Sequence, residues 1–408
     1  MCSSDLVLYH AEGIIRQSEE HAAALFGAGR TVYSTEGSSL SIRAMLYLSL
    51  LYAKEQGRRP RILAGRNAHK SFLSAVALLD MDVDWLYPPE GEGVLCGQVA
   101  PDELEAYLSQ AQELPVAVYV TSPDYLGNVA DVSALSPICH RYSILLLVDN
   151  AHGAYLHFLK PSRHPMALGA DLCCDSAHKT LPVLTGGGYL HISENAPKTV
   201  MEQVDRAMAL FASTSPSYLI LQSLDAVNPY LRYGYAEELA DCVRRSELLK
   251  KKLGVYGYTL VGDEPLKLTL APKSFGYTGI ELAETLLDRE IVCEFSDPDY
   301  LVMMLTPTLS AAQWEQMEQA LLSVERRTPV DRLAPPVSHA ERVLSIREAM
   351  LSPGAWLPLE QCKGKILADA ALSCPPAIPL VVCGERIDDA EIRCMRYYGV
   401  TGCRVIES

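Results

Sequence analysis

The strongest constraint on the fold is the stretch from Ser143 to Ile192, in which two short apolar runs each end in a polar turn. Ile144 to Val148 is continuously apolar, the pattern of a strand covered on both faces rather than one half-exposed to water. It closes in Asp149 and the small-residue turn Asn150-Ala151-His152-Gly153-Ala154. A second strand is predicted from Asp171 to Cys174, ending in Asp175-Ser176-Ala177-His178-Lys179-Thr180. Ligands of an open α/β sheet sit beyond the carboxyl ends of its strands. Asp149 and Lys179 are therefore expected at neighbouring strand ends facing one crevice. A lysine amine can form a Schiff base with an aldehyde, and an aspartate can keep a pyridine nitrogen protonated. That pair suits pyridoxal phosphate.

Other segments repeat the pattern. Thr31 to Ser34 reads as a strand, and Glu36-Gly37-Ser38-Ser39 turns into an apolar helix from Leu40 to Tyr52. Arg61 to Ala64 ends in Arg66-Asn67-Ala68-His69-Lys70-Ser71, before a helix over 72–79. Val116 to Thr121 ends in Ser122-Pro123-Asp124-Tyr125-Leu126-Gly127, before a helix over 131–141. Strands alternating with helices predict a mostly parallel α/β sheet. Beyond residue 193, helices over 199–211, from Ser217 and over 234–253 lead into short strands at Thr259–Val261, Leu266–Leu270 and Leu301–Leu305. Helices over 279–288 and 310–325 accompany them. Arg326 to Pro336 reads as a linker. The expected division is a large cofactor-binding domain over 1–233, a small α+β domain over 234–330 and a short C-terminal domain over 331–408.

Composition narrows the class of function. The 408 residues carry 35 Lys plus Arg against 50 Asp plus Glu, a formal charge of −15 without a basic stripe. Such a chain repels nucleic acid and anionic membranes. Twelve cysteines are scattered in apolar contexts with no CxxC pair, so buried free thiols are expected rather than disulfides, and no metal site. No signal peptide or apolar run of membrane-spanning length is present, and a cytoplasmic location is expected.

Singly, the candidate residues are ambiguous. Lys179 alone reads as a surface lysine, Asp149 equally as a turn cap, and His69 as an ordinary loop histidine. Ser38 and Ser39 at a helix start are ordinary capping residues. Together they make a site. Ser176 precedes Lys179 by three residues, and Gly186, Gly187 and Gly188 permit close backbone approach. Gly37, Ser38 and Ser39 offer N–H groups, hydroxyls and a helix dipole to a phosphate. His69 can stack on a flat ring.

In order along the chain, Gly-Ser-Ser, Arg-Asn-Ala-His-Lys-Ser, Ser-Pro-Asp-Tyr-Leu-Gly, Val-Asp-Asn-Ala-His-Gly-Ala and Ser-Ala-His-Lys-Thr-Leu-Pro resemble the Orn/Lys/Arg decarboxylases. These are fold-type-I pyridoxal-phosphate enzymes acting on basic amino acids. Ser213-Thr214-Ser215-Pro216-Ser217-Tyr218, Ser223-Leu224-Asp225, Pro375-Pro376-Ala377-Ile378-Pro379 and Gly384-Glu385 extend the likeness from about His10 to Ile387. The resemblance implies a fold-type-I large domain with a mostly parallel seven-stranded sheet. It makes Lys179 the internal-aldimine lysine and Asp149 the partner of the pyridine nitrogen. His69 would stack on the ring, with Ala151 on its other face and His152 in the same cofactor-binding turn. Ser38, Ser39 and Ser176, with Gly37, would hold the phosphate, and His178 would lie beside the Schiff base. Thr214 or Ser215 is expected at the phosphate of a neighbouring subunit, in a homodimer whose site forms at the interface.

Family members begin with a segment containing Pro-Gly-His-Lys, and the large decameric ones with a wing domain. Neither stands ahead of these motifs here, which leaves a truncated sequence or a branch that has replaced part of its site, and favours a dimer over a decamer. Glu36 stands where the family commonly has an amide. The resemblance implies decarboxylation of arginine, lysine or ornithine to the amine and CO2, with His178 or Lys179 as proton donor. Glu36, Asp124 and Glu385 are candidates for holding the substrate's distal cation. The alternatives are another fold-type-I activity, such as an aminotransferase or carbon–sulfur lyase, and a non-catalytic remnant or partner subunit.

Overall fold

The computed structural model describes residues 8–10, 12–88, 93, 95–96, 99–370, 373–374 and 378–407. Pro375, Pro376 and Ala377 of the C-terminal motif lie outside the described residues. The chain divides into two compact units. The first comprises Met1–Tyr87, Gly97–Pro123 and Ala130–Ala236, and the second Pro88–Cys96, Asp124–Val129 and Glu237–Ser408.

The first unit is a seven-stranded sheet covered by helices. In chain order it runs α1 (Gly13–Phe26), β1 (Arg30–Ser34), α2 (Gly37–Glu55), β2 (Arg61–Gly65), α3 (Lys70–Leu79), β3 (Asp82–Leu86) and α4 (Pro101–Gln110). It continues through β4 (Ala117–Thr121), α5 (Val132–Arg141), β5 (Leu145–Asp149), β6 (Leu172–Asp175), the single turn α6 (Ala177–Thr180), β7 (Gly188–Ile192), α7 (Lys198–Phe211) and α8 (Tyr218–Tyr233). The spatial order is β1-β7-β6-β5-β4-β2-β3. Pairs from β3 to β6 are parallel, while β7 is antiparallel to both β1 and β6. The reversal has a simple cause. Only the single turn α6 and a Gly-rich turn separate β6 from β7, with no full helix to cross the sheet as a parallel return usually requires.

Alternation along the strands assigns the two faces. Leu63, Val118, Val120, Leu146 and Val148 pack with Leu104, Leu108, Leu135 and Ile138 from α4 and α5. Each such buried side chain contributes about 1.5–3 kcal/mol. The other face, bearing Tyr119, Thr121, Leu147 and Asp149, meets α2 and α3. Helix α2 packs on β5, β6 and β7, and Phe72 of α3 lies 4.4 Å from the Tyr119 ring. Because α2 is enclosed, Leu40, Ile42, Met45, Leu46 and Leu48 are buried around most of its circumference, which explains its weak amphipathic pattern.

α9 (Tyr235–Tyr256) carries the chain into the second unit. There β8 (Leu260–Val261), β9 (Lys267–Leu270), β10 (Phe295–Ser296) and β11 (Leu301–Met304) form an antiparallel sheet in the order β10-β11-β9-β8. It is accompanied by α10 (Gly279–Leu287) and α11 (Ala311–Leu322), each opened by a capping box. Beyond the irregular linker come α12 (Ile346–Leu351), β12 (Gly354–Pro358), the two-residue strands β13 (Ser373–Cys374) and β14 (Ile378–Pro379), α13 (Asp389–Tyr397) and β15 (Gly402–Ile406). β15 pairs with β12. Asp124–Val129 belongs to this unit because Lys267 Nζ donates to the Asp124 carbonyl at 2.8 Å and Thr269 Oγ1 to that of Leu126 at 2.8 Å. Cys139, Cys173, Cys174, Cys242, Cys362, Cys383 and Cys403 are buried thiols outside any disulfide, and Cys293 is a half-buried one. No helix among the described residues is long and apolar enough to cross a membrane.

Candidate active site

Strand pairing sets the two central residues side by side. β5 and β6 are adjacent and parallel, with Asp149 opposite Cys174, so their following turns open at one sheet edge. Asp149 is 2% exposed. Its Oδ2 accepts the Tyr119 hydroxyl at 2.9 Å, and its Oδ1 accepts the Ala151 N–H at 3.2 Å and the Cys174 thiol at 3.5 Å. All three donors are neutral. Among the described residues no ion pair reaches this carboxylate, so a buried negative charge faces the strand-end crevice without a cation bonded to it.

The Lys179 side chain is exposed, and its Nζ lies 2.9 Å from Nε2 of His152, which is buried in the Asp149 turn. The imidazole beside the amine is thus His152. His178, adjacent to Lys179 in sequence, instead donates from Nδ1 to the Gly187 carbonyl at 2.8 Å, with its ring under Gly37. His69 caps α3: its Nδ1 accepts the Ser71 N–H at 3.1 Å, which puts a neutral ring's proton on Nε2. Burial holds the His69 pKa below the ordinary value. The nearby Asp149 charge pulls it up and Lys179 pushes it down, so these three side chains share one electrostatic neighbourhood.

Four serine hydroxyls gather at the start of α2. Ser176 Oγ donates to Ser38 Oγ at 2.9 Å, and Ser39 Oγ is 2.8 Å from Ser71 Oγ. Gly37 has φ of +66°, and its N–H donates to the Gly186 carbonyl at 2.7 Å. A Cβ on Gly188 would lie 2.8 Å from the Asp175 carbonyl and 3.1 Å from the Gly37 carbonyl carbon, so this position requires glycine for β7 to pass beneath the turn. No side chain caps α2, which leaves the first-turn N–H groups after Gly37 to an anion. Glu36 is directed elsewhere, its carboxylate accepting the Ser213 N–H at 2.8 Å. Thr214 and Ser215 are exposed in the loop before α8, and no hydrogen bond among the described residues joins them to Ser38, Ser39 or Ser176.

Comparison with known proteins decides the family. The model described as "Orn/Lys/Arg decarboxylase, major domain" matches residues 4–261, and that of the family's C-terminal domain matches residues 345–402. The chain belongs to the Orn/Lys/Arg decarboxylase family. Among relatives of this decarboxylase-family chain, an arginine decarboxylase of Halalkalibacterium halodurans is 28% identical over 95% of this chain and 82% of its own length. An arginine decarboxylase of Bacillus subtilis is 26% identical over 94% of this chain and 81% of its own. In fold, the structure of Escherichia coli constitutive lysine decarboxylase superposes with a TM-score of 0.76 at 18% identity, over 99% of this chain and 74% of that one. A NifS-like protein follows at a TM-score of 0.59 and 16% identity, over 76% and 86%. The fold is thus the fold-type-I architecture.

The two remaining acids proposed for a substrate cation both engage their own unit. Asp124 accepts the Asn128 N–H at 2.9 Å and side-chain amide at 2.7 Å, and Glu385 accepts the Val382 N–H at 2.7 Å. Tyr119 was missed from sequence, where it reads only as one more residue of an apolar strand.

Proposed function

We propose that this family member is a pyridoxal-phosphate-dependent decarboxylase converting a basic amino acid (arginine, lysine or ornithine) to its amine and CO2. The observation that carries the reading is the buried Asp149 carboxylate, which has only neutral donors and stands one strand from the Lys179 amine. A protonated pyridine nitrogen supplies the missing cation. A second observation supports the fit. Thr121 lies on the same sheet face as Asp149 and in register with it, and its Oγ1 is buried without a hydrogen-bond partner. Thr121, beside Asp149 on the neighbouring strand, would thus be a further residue able to hold the group.

When bound, the cofactor supplies an electron sink for the pair left behind as carboxylate departs from the α-carbon. The protein's own groups do the rest. Asp149, held by Tyr119, keeps positive charge at the ring nitrogen. His69, whose pKa is lowered by burial, would flank one face of the ring and Ala151 the other. Ser38, Ser39, Ser176 and the α2 terminus would bind the phosphate, and Lys179 would hold the aldehyde carbon. His152 takes the proton from Lys179 Nζ and returns it, which makes it nearer to the chemistry than His178. The reading extends to a cytoplasmic homodimer in which Thr214 or Ser215 reaches the neighbouring subunit's phosphate, and to the three-domain division at 233 and 330.

The test is an absorption titration of the purified chain with pyridoxal phosphate. A visible band is expected, and Lys179→Ala should abolish it. No band in the wild-type chain refutes the function, and a surviving covalent adduct in the variant refutes the lysine assignment.

A further inference from the structure

The mechanism leaves unused a charged cluster at the heart of the first unit. Asp175, His164 and His191 are each fully buried. Asp175 Oδ2 accepts His164 Nε2 at 3.0 Å and His191 Nε2 at 3.2 Å. Its Oδ1 accepts the Asn150 side-chain amide at 2.6 Å and the Cys173 thiol at 3.6 Å. The protons can be assigned from the network. His164 Nδ1 accepts the Met166 N–H at 3.3 Å, so a neutral His164 carries its proton on Nε2, facing Asp175. His191 Nδ1 is engaged by Thr31 Oγ1 at 2.8 Å. His164, Cys173 and Asp175 are spaced as metal ligands could be, but the nitrogen a metal would need bears a proton already given to the carboxylate.

The position of this cluster gives it a purpose. Asn150 directly follows Asp149, and Asp175 directly precedes Ser176 in the turn leading to Lys179. The Asn150–Asp175 bond therefore ties the turn carrying Asp149, Ala151 and His152 to the turn carrying Ser176, His178 and Lys179. The Asn150 side chain fills the space above Gly153, where a Cβ would stand 2.0 Å from Asn150 Oδ1. That crowding accounts for the glycine in Asp-Asn-Ala-His-Gly.

We propose that Asp175 is a positioning residue. Clamped by His164 and His191, it latches the two turns through Asn150 and so fixes the spacing of Asp149 and Lys179, and the His152–Lys179 contact, before a cofactor arrives. A site built this way binds without first ordering its own parts. The inference rests on the pyridoxal-phosphate reading, and its test separates the two.

Asn150→Ala removes the latch and leaves the histidine clamp. Asp175→Asn places an amide N–H₂ against donors. The cofactor-free proteins are compared by far-UV circular dichroism and melting, then titrated with pyridoxal phosphate while the visible band is followed. Asn150→Ala should keep the wild-type dichroism and a cooperative melt, yet bind roughly 10- to 100-fold more weakly, as expected for a lost hydrogen bond to a charged group, with a shifted band. If Asp175→Asn does not fold, Asn150→Ala alone decides. Wild-type affinity and band position in Asn150→Ala would overturn the latch while sparing the functional reading. Absence of the band in the wild-type chain would overturn both. Stoichiometric metal in the purified protein, whose chelation changes cofactor affinity, would also overturn the latch.

Discussion

Asp149→Asn separates a functional charge from a structural one. The carboxylate is buried, and its bonds to Tyr119, Ala151 and Cys174 come from neutral donors. No cation bonded within the described chain offsets it, so an opposing charge must come from what the site binds. A carboxylate and a pyridinium about 4 Å apart attract by about 4 kcal/mol at an effective dielectric constant near 20. At about 1.4 kcal/mol per pKa unit this amounts to ~3 units of ring-nitrogen basicity. Replacing the acid by its amide should therefore lower CO2 release by about 10³-fold. The cofactor-free protein should hold its stability within about 1 kcal/mol or gain slightly, because an uncompensated buried charge is lost while shape is kept. The assays are radiometric CO2 release and thermal melts with and without pyridoxal phosphate. Turnover within tenfold of wild type would refute the ion-pair argument. A cofactor-free protein destabilised by several kcal/mol would show that the carboxylate serves the fold instead.

Three further outcomes follow from buried polar groups. Thr121→Val should weaken pyridoxal-phosphate binding by about 5- to 10-fold with no loss of cofactor-free stability, since Oγ1 has no partner to lose; unchanged affinity in the absorption titration would remove Thr121 from the site. Burial pushes the Glu19 carboxyl up to about 8, against the lowering effect of the Tyr33 N–H. The unfolded chain ionises near 4.5, so stability falls as pH rises from about 4.5 to about 8. Glu19→Gln should then be more stable by about 3 kcal/mol at pH 7 in urea unfolding, and by little at pH 4. Burial, with His164 and His191 nearby, pushes His157 down to about 4. The unfolded imidazole takes up its proton near 6.5, so stability present above that pH is lost towards pH 4, by up to about 3 kcal/mol. His157→Phe should flatten this acid limb, and an unchanged limb would place the titration elsewhere.

Much of the candidate site was legible because its residues sit where strands end. Continuous apolar runs located β5 and β6, and the turns after them carried Asp149 and Lys179. Parallel pairing then brings such ends together without further information. What escaped the sequence depends on register and direction. Tyr119 reaches Asp149 only because β4 lies beside β5 with Thr121 opposite Asp149, which no local pattern records. Adjacency along the chain put His178 next to the amine, whereas the turn after β6 aims its ring at Gly187 and leaves His152 beside Lys179. The antiparallel sense of β7 was unpredicted, although the lack of a full helix between it and β6 held the signal. His164, Asp175 and His191 read as unrelated polar residues until β6 and β7 pair. Glu36, a candidate for the substrate's cation, instead accepts the Ser213 N–H.

The central claim is that Asp149 and Lys179 together hold pyridoxal phosphate for decarboxylation of a basic amino acid. The most direct measurement supplies the cofactor-loaded chain with arginine, lysine and ornithine, each labelled in the carboxyl carbon, and counts released CO2 beside the Lys179→Ala variant. Release is expected from at least one of the three in the wild-type chain and from none in the variant. A loaded chain that shows the visible band yet releases no CO2 from any of them, forming keto acid instead, would contradict it.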